Sequence, residues 1–463
     1  MSNNKETAGT TRREFFRTAA ATAAVSATAV KVAKSSVYSL APAGAKGAND
    51  RIIIGHIGVG AQGKAHLNLL KQNASEGLNN NTSQVAVCDL YVKRMKAAQA
   101  LLGLKDTQAF EDYRKVLDNK DIDAVWVTTS DQWHADIACD AMKAGKHIYI
   151  EKPMCKTLEE TFRIYDTAIA TKRVVQVGSQ GTSDPKYHEC AKLVNSGKFG
   201  TTIMAQGSYN RNSKEGEWEN TIDKDASPTA KGTENYVDWD TFRRSAEPAK
   251  WDPDRFFRWR KWWEYGTGLV GDLFPHRLYP LYIAMGVKTT GLEGFPMRVS
   301  SGGNLYVQKV APEGWVDRNV PDFINLICDF QNGPSLMLMS SSVNETGWTD
   351  MIRLNKATIT LGGDTIDVKP ERVWSDEVDG ERLQAPGGEP IDRHERNFLD
   401  AIRGIVAKPN CDIELAVRVQ TIISMGEMAY RNNATINFDP KTRKAWAGNV
   451  TVFDTNEKNP PKA

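Results

Sequence analysis

The chain has 463 residues, of which 40% are hydrophobic, 25% charged and 9% aromatic, and 59 Lys+Arg against 57 Asp+Glu leave a formal charge of +2. At roughly 100–200 residues per domain this length predicts two or three domains, and the composition excludes a disordered, collagen-like or coiled-coil chain. So small a charge excess excludes the electrostatic footprint of a nucleic-acid or membrane-surface binder and points to a small-molecule partner. The six cysteines, Cys88, Cys139, Cys155, Cys190, Cys328 and Cys411, lack the spacings that metal chelation or redox exchange use, so they read as buried thiols and no metal site is expected.

In chain order, Thr11-Arg12-Arg13-Glu14-Phe15-Phe16-Arg17 is followed by a weakly apolar Ala/Thr/Ser/Val run over residues 19–30. This resembles a twin-arginine (Tat) export signal, which implies a periplasmic protein carried by the Tat machinery, and residues 1–50 are set aside as signal and linker. No other stretch approaches about 18 consecutive apolar residues, so no membrane span is predicted.

Residues 51–57, Arg-Ile-Ile-Ile-Gly-His-Ile, form a β-type run that leads into Gly58-Val59-Gly60-Ala61-Gln62-Gly63, and a helix-type run follows over 64–71. Glycines at this spacing between strand and helix let the chain turn tightly, admit a pyrophosphate to the backbone and pack helix on strand. A second strand over 84–88 ends in Asp89, whose carboxylate is placed for the adenosine ribose hydroxyls; it lies 26 residues beyond Gly63, the usual ~20 being lengthened by a loop expected over 73–83. The acid repels a 2′-phosphate and favours NAD, while Arg94 nearby keeps NADP open. Helices near 92–101, 112–117 and 133–144 alternate with strands near 108–110, 123–128 and 147–150. This pattern predicts an α/β fold with a doubly wound parallel sheet, a nucleotide-binding domain over 51–180.

The last of these strands runs into Glu151-Lys152-Pro153 at the carboxyl edge of the sheet, where ligands of such folds bind. The ordered set of G-x-G-x-x-G, Asp89, Ala144-Gly145-Lys146-His147, Glu151-Lys152-Pro153 and Gln176-Val177-Gly178-Ser179-Gln180 resembles the glucose–fructose oxidoreductase / inositol dehydrogenase (Gfo/Idh/MocA) family. The resemblance implies that Glu151 and Lys152 face the nicotinamide, that Lys152 reaches the substrate hydroxyl, and that Pro153 fixes the turn, often through a cis peptide. A cation there stabilises a developing alkoxide.

After a strand over 174–177 and a helix near 187–195, β-type runs at 201–209, 297–307, 323–330, 335–341, 353–361 and 365–369 succeed one another almost without helices. They predict a second, α+β domain over 181–450 with a large open, mainly antiparallel sheet, ahead of a tail at 451–463. Helices near 394–403 and 413–431 are expected to pack back on the first domain. Asp272 and His276 stand four residues apart, so on a helix both side chains share a face. The resemblance implies that this pair is catalytic, with His276 as general base and Asp272 orienting or relaying. Pro275 interrupts the element, and Phe274 and Tyr279 stand where the family commonly has Gly and an acid. Six of the twelve tryptophans fall between Trp218 and Trp263, interleaved with Arg255, Arg258, Arg260 and Lys261; of these, Arg258, Arg260 and Trp263 are the expected sugar contacts.

The leading expectation is an exported NAD-dependent oxidoreductase, acting on a secondary alcohol of a sugar or cyclitol with tightly held cofactor. A second is redox-neutral glycoside cleavage through transient ring oxidation, and a third is a nucleotide-binding protein without chemistry. The resemblance also implies a homo-oligomer.

Overall fold

The structure is a computed structural model, described over residues 51–75, 81–214, 216–308, 318–385, 387–388, 390–448 and 451–453. The export-signal expectation lies outside the described residues. All six cysteines are buried thiols.

The first sheet has six parallel strands: β1 (Ile52–Ile57), β2 (Thr82–Cys88), β3 (Ala109–Phe110), β4 (Ala124–Val127), β5 (His147–Ile150) and β6 (Val175–Val177), ordered β3-β2-β1-β4-β5-β6. Helices α1 (Ala61–Ser75), α2 (Val92–Leu102), α3 (Tyr113–Asp118), α4 (Asp131–Lys143) and α5 (Leu158–Thr171) form the crossovers. Strands β4 and β5 are buried along their whole length, as expected where helices cover both faces. Local chemistry sets the helix ends: Thr157 and Glu160 form a capping box at α5, and Gly103 closes α2 in the left-handed region at φ 66°. The loop expected over 73–83 is shorter than predicted at both ends, because α1 continues to Ser75 and β2 opens at Thr82.

The second region contains α6 (Pro185–Asn195), β7 (Thr202–Ser208), the short helices α7 (Trp239–Arg243), α8 (Pro253–Phe257) and α9 (Gly268–Asp272), and α10 (Pro275–Ala284). It continues through β8 (Pro296–Asn304), β9 (Phe323–Phe330), β10 (Ser335–Ser341), β11 (Asp350–Leu354), β12 (Ala357–Leu361), β13 (Thr365–Pro370) and β14 (Glu381–Gln384). Helices α11 (Ile391–Ile402) and α12 (Ile413–Asn432) precede β15 (Ile436–Asp439), β16 (Lys444–Ala447) and β17 (Thr451–Phe453). The eleven strands form one sheet, ordered β14-β13-β12-β11-β7-β10-β9-β8-β15-β16-β17, antiparallel throughout except where β7 runs parallel to β10. Two boundaries are corrected. The single run expected over 353–361 is a hairpin, β11 and β12, turning at Asn355-Lys356, and the expected tail begins with β17, paired to β16.

Both late helices pack as anticipated. Phe398, Leu399 and Ala401 of α11 join Ile52, Ile54, Trp126 and Tyr149 in one buried cluster on a face of the parallel sheet. Gln420 of α12 takes the Met154 N–H and donates to the Cys155 carbonyl, tying the chain just after Lys152 to the second region.

Candidate active site

The chain leaves β1 into the glycine turn. Gly58 has φ +85°, and a Cβ there would stand 2.8 Å from the backbone of Thr128 and Thr129; at Gly63 a Cβ would collide with the Gly58 carbonyl. Gly60 has open space, its nearest neighbour being Arg94 Nη1 at 3.8 Å. The Asp89 carboxylate accepts the Val59 N–H at 2.9 Å through one oxygen and the Tyr91 N–H at 2.9 Å through the other. These residues border a cleft of about 710 Å³ that includes Gly58, Gly60, Ala61, Gln62, Asp89 and Arg94. A turn free of side chains at the N-terminus of α1, with an acid at the end of β2, fits the phosphates and ribose of a dinucleotide.

The far wall of this cleft comes from the second region. Asn220, Asp238, Thr241, Phe242, Phe256 and Phe257 line it, all within a strap over residues 220–260. The strap is fastened to both rims. On the rim at α2, the Tyr91 hydroxyl and Lys93 ammonium both bind Asp223, at 2.7 and 2.8 Å, and backbone bonds join Val92 N to the Tyr236 carbonyl and Asp238 N to the Leu90 carbonyl. On the rim at α4, Gln132 Nε2 and Trp133 Nε1 donate to the Phe242 carbonyl at 3.1 and 3.2 Å, and Arg244 pairs with Asp136 at 2.6 Å.

A second, polar cavity of about 370 Å³ shares Gln62, Thr128, Thr129, Asn220, Trp259 and Arg260 with the cleft. Lys152, behind a cis Lys152–Pro153 peptide, donates its ammonium to the Asp272 carbonyl at 2.6 Å and to Oδ1 of the same residue at 3.0 Å. Arg260 Nε reaches Asp272 Oδ1 at 3.0 Å and Trp218 Nε1 donates to Oδ2 at 2.9 Å. Burial opposes a charge on Asp272, yet the Lys152 and Arg260 cations prevail and hold its carboxyl far below the usual range. His276 lines the cavity with its ring stacked on Tyr209, centroids 4.3 Å apart.

Two further acids border the cavity. Asp131, at the start of α4, is pushed up to about 7 chiefly by burial, against the pull of Arg260 and a 2.8 Å bond from the Thr267 hydroxyl. Glu151 accepts from Gln62 at 3.2 Å and meets buried His66, whose Nε2 is 2.8 Å away. Asp131 and Asp272 therefore form a pair of carboxyls with opposite proton preferences in one cavity, an arrangement suited to acid and base work.

The expected residues largely converge. Lys152, Asp272, His276, Glu151 and Arg260 meet in the second cavity, and Gly58, Gly60, Ala61, Gln62 and Asp89 meet in the first, with Gly63 behind them as packing. Three readings change. Asp272 and His276 do not share a helix: α9 ends at Asp272 and α10 begins at Pro275, because a proline fits a first turn but breaks an interior. Arg258 lines neither cavity; it is buried and paired with Glu219 and Asp254, each at 2.9 Å. Trp263 also lines neither, its buried ring standing 6.1 Å from that of Tyr430. Sequence reasoning missed Asp131, Trp218 and Tyr209 as cavity residues, and His66 and Glu395 behind them. The His66 position, on the helix face four residues after Gln62, was the one readable signal.

Residues 52–179 match the family model described as "Oxidoreductase family, NAD-binding Rossmann fold". An inositol 2-dehydrogenase of Salmonella typhimurium is 30% identical over 156 residues, 34% of this chain and 45% of that protein. An alpha-N-acetylgalactosaminidase of Shewanella oneidensis is 28% identical over 218 residues, 43% of this chain and 45% of that protein. The chain thus spans about half the length of the curated relatives it matches. Among solved structures, a levoglucosan dehydrogenase in complex with NADH and L-sorbose shares the fold with TM-score 0.62 at 18% identity, over 84% of this chain and 98% of that one.

Proposed function

We propose, from the match of residues 52–179 to the model of the Gfo/Idh/MocA oxidoreductase family with its NAD-binding Rossmann fold, that the whole chain is an NAD-dependent oxidoreductase of this kind acting on a secondary alcohol of a sugar, cyclitol or derivative. The observation that carries this reading is the common wall: a cavity holding Lys152, Asp272 and His276 opens through Gln62, Thr128 and Thr129 onto a cleft shaped for a dinucleotide.

NAD, when bound, supplies the hydride acceptor. Gly58, Gly60 and Ala61 hold its phosphates and Asp89 its ribose. Lys152 donates to the substrate hydroxyl and stabilises the alkoxide as it develops. His276, held flat on Tyr209, takes the hydroxyl proton. Asp272, kept ionised, aims the Lys152 ammonium and is itself fixed by Arg260 and Trp218. Trp259, which lines both cavities, offers a flat face to the C–H side of a ring.

The Thr11–Arg17 segment supports export by the Tat route to the periplasm, where free NAD is scarce. A resident cofactor answers that scarcity, and a strap fastened on both rims of the cleft suits it. Replacing Arg12 and Arg13 by Lys is expected to leave the precursor in the cytoplasm on cell fractionation; unchanged export removes the targeting reading.

Redox-neutral glycoside cleavage is the second reading, favoured by the 218-residue match to the Shewanella glycosidase, longer than the 156-residue dehydrogenase match. On it the substrate is oxidised transiently at a ring carbon, loses a neighbouring proton and its glycosidic substituent, takes up water and is reduced again. Two measurements separate the readings. Mass spectrometry of small molecules released on denaturation is expected to show stoichiometric NAD or NADH, and an empty protein counts against both. A panel of sugars and nitrophenyl glycosides then divides them: NADH accumulating or passing to a second substrate supports the oxidoreductase, whereas leaving-group release without net NADH supports cleavage.

A further inference from the structure

Behind the wall shared by the two cavities lies a buried charge cluster that the proposed chemistry leaves unused. His66 of α1 is held between two acids: Nε2 is 2.8 Å from Glu151 Oε1, and Nδ1 is 2.6 Å from Glu395 Oε1. All three are buried, and they come from separate elements, the first helix after the glycine turn, the end of β5 and α11. Each imidazole nitrogen thus faces a carboxyl oxygen, a geometry that favours a ring carrying both protons, although burial pushes the Glu395 carboxyl up and Gln62 Nε2 also stands 3.2 Å from Nε2. Burial alone lowers the ring's affinity for its second proton, and the two acids outweigh it. The Trp126 Nε1–H also donates to Glu395 Oε1, at 3.2 Å, while Glu395 Oε2 is buried with no hydrogen-bond partner among the described residues, so that acid faces inward to His66.

The cluster touches Glu151, which borders the second cavity and is held by several neighbours. Its Oε1 takes Gln62 as well as His66, its Oε2 takes the backbone N–H of Lys152 at 3.2 Å, and Gly178 stands so close that a Cβ there would lie 2.7 Å from Oε1. The Glu151 carboxylate thus touches both the His66 clamp and the backbone amide of Lys152, whose ammonium reaches Asp272. A clamp meant only for stability needs neither a bond to the Lys152 amide nor a glycine kept bare for the carboxylate.

We propose that His66, anchored by Glu395, is a positioning residue for Lys152: it clamps Glu151 on the wall of the second cavity and so delivers the Lys152 ammonium to Asp272. The proposal rests on the reading of Lys152 as the group that meets the substrate hydroxyl. Its test uses the full-length holoprotein and needs no substrate. Brief acetic anhydride labelling at pH 8, quantified by mass spectrometry, compares Lys152 with exposed Lys172. In the parent, Lys152 is expected to react at least about tenfold more slowly, because its side chain is largely buried and its ammonium is held on Asp272. In His66→Gln its rate rises at least about fivefold, and in Glu395→Gln by less, with bound cofactor unchanged. Where a substrate has been found, kcat falls roughly 10- to 100-fold while KM moves by less than about threefold, the signature of misplacement rather than lost affinity. Unchanged Lys152 labelling in a folded His66→Gln protein overturns the proposal. If that variant does not fold, Glu395→Gln, which preserves shape, decides alone: raised labelling supports the clamp and parent-like labelling refutes it. Absence of turnover on any sugar or glycoside defeats the proposed activity instead, and leaves the labelling result standing.

Discussion

The two cavities are built on opposite principles. The nucleotide cleft is founded on backbone: Gly58 and Gly60 at the N-terminus of α1, with Asp89 at the end of β2, lie within some 30 residues of chain and face an aromatic strap. The smaller cavity is made of polar and charged side chains carried by segments far apart, Lys152 after β5, Trp218 just before the strap, Arg260 at its end, Asp272 on α9 and His276 on α10. On the proposed function, the first would hold a ligand common to many proteins and the second would decide what reacts. Backbone sites depend on local spacing, whereas side-chain sites depend on the whole tertiary arrangement and are correspondingly easy to break one residue at a time.

Lys152→Met is the largest expected break: turnover falls roughly 10²- to 10⁴-fold with the cofactor still bound, since the loss is confined to the ammonium that meets the substrate hydroxyl in the second cavity. A near-normal rate would place the chemistry elsewhere. Asp223→Ala, which removes the shared partner of Tyr91 and Lys93 at one end of the strap, is expected to speed cofactor release about tenfold, a change of about 1.4 kcal/mol. Dilution into excess unlabelled NAD measures it, and an unchanged rate would make the strap a bystander. Asp89→Ala sharpens the reading of the first cavity: calorimetry is expected to show NAD weakened about fivefold more than NADP, because the mutation also removes repulsion of a 2′-phosphate. Equal losses would take Asp89 away from the ribose.

The smallest effect is on stability against pH. His66 is raised from 6.5 to about 10, burial lowering it and the bonds to Glu151 and Glu395 more than restoring it. A group whose folded pKa is raised contributes stability that is fully present below its ordinary value and lost as pH rises through the folded one. The melting temperature is therefore expected to fall by a few degrees between pH 7 and 10, and His66→Gln to flatten that slope.

What was legible in the sequence follows the same division. The glycine turn, Asp89 and the parallel sheet were readable because strand, turn and helix signals lie side by side, whereas Lys152 was readable only through the family pattern that Glu151-Lys152-Pro153 completes. Asp272 and His276 were readable only through a family pattern, and Pro275 was the local sign that they belong to different helices. Arg258 could not be told from Arg260 by composition: two residues apart in an aromatic stretch, one turns inward to Glu219 and Asp254 and the other to Asp272. The clamp around His66 joins residues up to 329 positions apart, and no local signal announces such a pairing. The hairpin of β11 and β12 was read as one strand because Asn355-Lys356 lacks the usual Gly or Pro.

The cover that α11 gives the parallel sheet has a consequence for how the chain is made. Trp126 and Tyr149 are sealed by Phe398, and α11 begins 214 residues after the last parallel strand ends. At about 5–20 residues per second of synthesis, that face waits roughly 10–40 s on the ribosome for its partner. Throughout that interval a nascent chain presents a broad aromatic surface, and the demand it places on cellular holding factors is set by its length rather than by its final stability.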